Sequence, residues 1–124
     1  MIPKFRAWDK RENTMRDVAV LHFTKGGKVN SIEYWKTPSE LKSYHVRNLV
    51  LMQSTGLKDK NGVEIFEGDI GWDDHQEVHG QVIFENGAFK YEWENISEDL
   101  FEATDDIEIV GNIYENSELL EGTE

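Results

Sequence analysis

The sequence predicts a mainly β chain of barrel or sandwich type, with one or two short helices. Three observations lead there. Short runs of alternating or β-branched residues recur along the chain, broken by Gly, Asn or Pro roughly every 8–12 residues. The stretch QVIFENGAFKYEW has the form of a β-hairpin, with Asn86-Gly87 at the turn and Phe89, Tyr91 and Trp93 alternating on the return strand. Four Trp, four Tyr and six Phe can fill a core, although apolar residues make up only 38% of the chain.

Each element follows in order. KFRAWD sets Phe5 and Ala7 against Lys4, Arg6 and Trp8 and reads as a strand. KRENTM is a polar turn. MRDVAVLHF is a second strand, Gly26-Gly27 closes a hairpin, and KVNSIEYW is the third. TPSELKSY then predicts one or two helical turns, with Thr37 as N-cap, Pro38 at the first helical position and Glu40 completing a capping box. VRNLVLMQS reads as a buried strand rather than a helix end, because Val46 and Val50 are β-branched. Asn61-Gly62 is a tight turn before the short strand VEIF, and Gly68 permits a bend into DIGW. After the 81–93 hairpin, SEDLFEA is a single helical turn and IEIVGNIY a last strand. NSELLEGTE is a short helix or a tail.

A chain of 124 residues fits one domain, or one with a small appendage. The absence of Cys excludes disulfides and thiolate metal sites, and fits a reducing compartment. Met1 to Lys10 has no apolar run, so no signal peptide is read there. No segment nears the roughly 20 apolar residues of a membrane span. The net charge of −12 is unevenly spread: residues 1–60 hold 12 Lys and Arg against 6 Asp and Glu, whereas residues 61–124 hold 1 against 19. Full pairing inside the acidic part is therefore impossible. The polarity suits attraction between the two parts of the chain or between copies, solubility, or an acidic face toward a basic partner.

Few residues suggest chemistry. Acid/base catalysis needs two carboxylates with separated pKa values, but 25 acids make pairs such as Asp105-Asp106 or Glu92/Glu94 uninformative. The sequence has no Ser-centred elbow, Cys nucleophile or P-loop, so no catalytic residue and no cofactor is assigned. In DDHQEVH, His75 and His79 would share a face on a helix, and on a strand His75, Glu77 and His79 would project together. A plain exposed connection is the stronger reading, and no metal is assigned. His22 and His45 read as ordinary hydrogen-bonding residues. Lys4, Arg6, Lys10, Arg11 and Arg16 surround Trp8 as a candidate nucleic-acid stacking site, a reading that the net charge of −12 disfavours. Conversely, Glu92, Glu94, Glu98, Asp99, Glu102, Asp105, Asp106 and Glu108 are dense enough to imitate a nucleic acid, or simply to form a solvated face.

Three segments together resemble the YopX-like family of bacteriophage and prophage proteins. They are KFRAWD at 4–9, LMQSTGLKDKNGVEIFEGDI at 51–70 and IEIVGNIYENSELL at 107–120. The second carries the family's Gly-Leu-x-Asp-x-x-Gly-x-x-Ile-[Phe/Tyr]-Glu-Gly-Asp pattern. The resemblance spans nearly the whole chain and implies an SH3-like barrel in the later half, a phage or prophage origin and the bacterial cytoplasm. It implies no activity. The expected organisation is an N-terminal β-rich segment over 1–50 and an SH3-like barrel over 51–124, or one continuous domain. GLKDKNGVEIFEGDI reads as architecture, with Asp69 accepting backbone N–H bonds in the bend. Lys58, Asp59, Lys60, Glu67 and Asp69 are its candidate partner contacts. The expected function is a non-enzymatic protein–protein interaction module acting on a host or phage protein. The alternative is a nucleic-acid module using Trp8 and the early bases. No membrane partner is expected, and self-association stays open.

Overall fold

The structure, a computed structural model, describes residues 4–121. It divides into two units, Met1–Gln53 and Ser54–Glu124. Strands dominate both, and all pairing is antiparallel. No helix among the described residues is long and apolar enough to cross a membrane.

The first unit is a meander: β1 (Phe5–Asp9), β2 (Thr14–Phe23), β3 (Val29–Thr37), β4 (Glu40–His45) and, after a 3-10 turn over Val46–Asn48, the first half of β5 (Leu49–Lys58). Their order is β4-β3-β2-β1-β5. Alternation along β1 and β3 places Ala7, Ile32 and Tyr34 in one core with Leu49, and Val18, Leu21, Tyr44 and Leu51 pack against it. Asp9 is also fully buried. One carboxylate oxygen accepts the N–H groups of Arg11 (3.0 Å) and Glu12 (3.1 Å) and the Tyr44 hydroxyl (3.2 Å). The other accepts Nε and Nη2 of Arg16, at 3.3 and 3.2 Å. The Arg16 guanidinium lies 4.6 Å from the centre of the Tyr34 ring. Burial alone would push the Asp9 carboxyl up, but the Glu12 and Arg11 amides, with Arg16 and Tyr44, hold it below the usual range. Asp9 of KFRAWD therefore ties the first turn to β2 and β4.

The helix expected over TPSELKSY does not form. Thr37 pairs with Glu40 across a tight turn, and residues 40–45 are strand β4. Thr37 Oγ1 does accept a backbone N–H, that of Ser39 at 3.4 Å, but within the hairpin rather than as a helix cap. An isolated helix this short is marginal. Pairing with β3 instead satisfies the backbone and lays Tyr44 beside Tyr34, with ring centroids 6.2 Å apart.

The second unit starts in the later half of β5, which pairs with β6 (Glu64–Phe66). There follow β7 (Asp69–Asp73), β8 (Val78–Glu85), β9 (Ala88–Trp93), β10 (Ile96–Asp99), the single turn α1 (Leu100–Ala103), β11 (Glu108–Asn112) and a 3-10 turn over Ser117–Leu120. The strand β10 was not expected from ENISED. The hairpin at Asn86-Gly87 is as expected, with positive φ of 53° and 82°. Ile65, Val82, Tyr91, Leu100, Ala103 and Ile107 form the core. Gly71 and Gly80 are cross-strand partners under Tyr91. A Cβ on Gly80 would lie 2.6 Å from Tyr91 Cε2, and one on Gly71 2.9 Å from the Tyr91 hydroxyl. Glycine at both positions makes room for the ring. The sheet runs β10-β9-β8-β7-β11, with edge strands that do not pair with each other. The strand pairing closes neither sheet, so pairing alone does not make the SH3-like barrel expected over 51–124.

Candidate functional site

The stretch 56–70 is mainly a set of ties. Asp59 is 6% exposed. Its Oδ1 accepts the N–H groups of Asn61 (2.8 Å) and Val63 (2.9 Å), and its Oδ2 accepts that of Ile109 on β11 (2.8 Å). Burial would raise its carboxyl, but the Ile109, Val63 and Asn61 amides and the Lys60 charge outweigh it and hold the group below the usual range. Gly62 (φ 83°) makes the turn. Gly68 (φ 89°) makes the next, donating its N–H to Val82 and accepting that of Ile113. Asp69, 2% exposed, accepts the Phe66 N–H at 2.7 Å. Lys58 is exposed, Glu67 half-buried, and Lys60 sits 3.5 Å from Asp74. The two aspartates serve the backbone.

The histidine cluster is split between a turn and a strand. His75 and Glu77 lie in the turn after β7, where Asp73 accepts the N–H groups of His75 and Gln76, whereas His79 is on β8. Among the described residues no three His, Asp or Glu side chains gather to hold a metal. His22 instead meets Glu33 at 2.7 Å, and His45 Nδ1 accepts the Arg47 N–H at 3.1 Å.

What β8 does present is a groove. Trp72 on β7 faces His79 across the ladder, with ring centroids 4.7 Å apart. Gln81 follows two residues on, opposite Glu92, and Glu94 lies two beyond that. Trp72, His79, Gln81 and Glu92 share the face turned away from Val82 and Tyr91, and Glu94, in the turn after β9, lines the same groove. The 3-10 turn over Ser117–Leu120 lies against β8 and brings Leu119 and Leu120 to the same space. The groove has a volume of about 510 Å³ and is also lined by Glu77 and Val78. Glu77, Glu92 and Glu94 form no ion pair among the described residues. Farther along, burial raises the Glu98 carboxyl, as do the charges of Glu102, Asp106 and Asp73. Asp99 of the expected acidic face is instead paired with Lys90 at 2.7 Å.

A model of the YopX protein family matches residues 4–121. The chain belongs to the YopX family. Over 98% of its length it is similar to protein EF1440 from Enterococcus faecalis, covering 99% of that chain at 34% identity and a TM-score of 0.76. It is also similar to protein yopX from Bacillus subtilis, covering 98% of each chain at 21% identity and a TM-score of 0.64, a likeness of fold. No curated protein matches.

In this YopX-family chain Trp8 is not an exposed centre for the basic N-terminal residues. Trp8 is 7% exposed, so its face is not a stacking platform, and Arg16 is held by Asp9. Arg11 instead lines a cleft with Lys42, His45 and Arg47. The sequence had already marked His79, Glu92 and Glu94, each for another reason. Trp72, Leu119 and Leu120 were not marked. Their part depends on the register of β7 with β8 and on where the last turn docks.

Proposed function

We propose that this YopX-family protein is a non-enzymatic interaction module that takes a basic segment of a host or phage protein into the groove over β7, β8 and β9. The observation that carries the reading is the Trp72–His79 ring pair beside unpaired Glu77, Glu92 and Glu94. A Lys or Arg side chain entering there gains an aromatic face, worth about 0.5–2 kcal/mol, besides the carboxylates. Residues 54–124 hold 3 Lys and Arg against 20 Asp and Glu, so the unit itself cannot neutralise the groove. The phage or prophage setting and the bacterial cytoplasm come with the family resemblance and belong to the same proposal.

The test is calorimetric titration with an Arg/Gly octapeptide and its Glu/Gly counterpart. Binding of the basic peptide alone is expected, weakened at least ten-fold by Trp72→Ala and by Glu92→Gln/Glu94→Gln. From nuclease-treated host lysate, wild type should retain a partner that these variants release. Equal binding by wild type and variants would refute the assignment, as would no binding of the basic peptide.

A further inference from the structure

The cleft of the first unit has the opposite character. It is formed where the turn after β1 meets the end of β4 and the 3-10 turn Val46–Asn48, and has a volume of about 570 Å³. Arg11, Lys42 and Arg47 line it, with exposed His45 and half-buried Tyr44. Residues 1–53 hold 10 Lys and Arg against 5 Asp and Glu. Among the described residues no carboxylate pairs with Arg11, Lys42 or Arg47. Glu12 is the one acid on the lining. Three unpaired cations around one concavity repel one another, and an anion entering it relieves that repulsion.

We propose that this cleft binds the phosphate backbone of a single-stranded nucleic acid. Guanidinium forks suit phosphate oxygens, and an ammonium adds a point charge. A carboxylate chain would satisfy the same charges, so the exposed ring decides between them. The ring that stands exposed at the cleft is that of His45; the half-buried Tyr44 also lines it, but packs on the core with its hydroxyl held by Asp9 at 3.2 Å. Bases freed from a duplex stack on such a ring, whereas an acidic peptide makes no use of it. The net charge of −12 does not forbid this, because at physiological salt charges act over about 8 Å and the cleft is surrounded by the cationic unit's own residues. Trp8 plays no part, and the cleft shares no residue with the groove on β8.

The test is fluorescence anisotropy of the full chain with a labelled ten-nucleotide single strand, in deoxy and ribo forms, from 50 to 300 mM salt. Three phosphate contacts predict a log–log salt slope of about −2. Lys42→Ala/Arg47→Ala should weaken binding at least ten-fold and bring the slope to about −0.7. Arg11→Gln should weaken it alone, and unchanged circular dichroism would show each variant folded. No binding at 50 mM salt would overturn the proposal, as would a double variant that binds like wild type. Competition by poly-glutamate as strong as by unlabelled oligonucleotide would overturn it in favour of an acidic protein.

Discussion

Asp59 gives the most direct test of the fold's wiring. One carboxylate accepts three backbone N–H groups, two from its own turn and one from β11, fifty residues on. Asp59→Ala removes all three acceptors. With about 1 kcal/mol for each bond after water recovers part of it, the cost is roughly 3 kcal/mol. For a chain this size that is a fall in melting temperature of about 10 °C. Asp59→Asn keeps the shape and one oxygen, so it can serve the turn or β11 but not both, and its amide then points a donor at a donor. Its cost should be about 2 kcal/mol. The pH dependence has a definite sign. The folded carboxyl is held below its ordinary 3.8, so its stabilisation is complete above that value and is lost as pH falls through the lower folded value. The gap between wild type and Asp59→Asn, followed by circular dichroism melts, should therefore be full at pH 7 and shrink below pH 3.8. An Asp59→Ala variant melting within about 2 °C of wild type at pH 7 would refute the reasoning, as would a gap that does not change with acid.

Two further expectations concern packing and charge. Gly80→Ala should cost about 2–3 kcal/mol in urea denaturation, because its Cβ would meet the Tyr91 ring. Adding Tyr91→Leu should cost less than the two single changes summed, and strict additivity would show that the ring is not the obstacle. Arg16→Lys should cost about 1 kcal/mol, since an ammonium cannot make both the two-nitrogen contact with Asp9 and the flat approach to Tyr34. An unchanged urea midpoint would mean that the buried Asp9 needs only a nearby charge.

The β class, the 81–93 hairpin and the two turns at Gly62 and Gly68 were legible because each rests on neighbours a few residues apart. Alternation sets the face of a strand, and Asn-Gly or a lone Gly supplies positive φ. Asp69 as the acceptor in its own bend is equally local. The segment 37–44 misled for the same reason. Its capping-box spacing is a real local preference, but the free β3 edge offered residues 40–45 a full ladder that a short helix could not match. Asp59 shows the intermediate case: its turn bonds follow from spacing, while its bond to Ile109 depends on the fold.

The sequence by itself determined that this chain is β-rich, strongly acidic in its later part and a YopX-family member. Those properties are sums or short-range patterns, readable without knowing which strand lies beside which. The tertiary structure alone decided that Trp72 meets His79, that Arg16 is held by Asp9, and that Arg11, Lys42 and Arg47 share a cleft. The first two depend on register between strands, where a shift of one residue would send a side chain to the opposite face, and the third on where the turn after β1 and the 3-10 turn Val46–Asn48 come to lie.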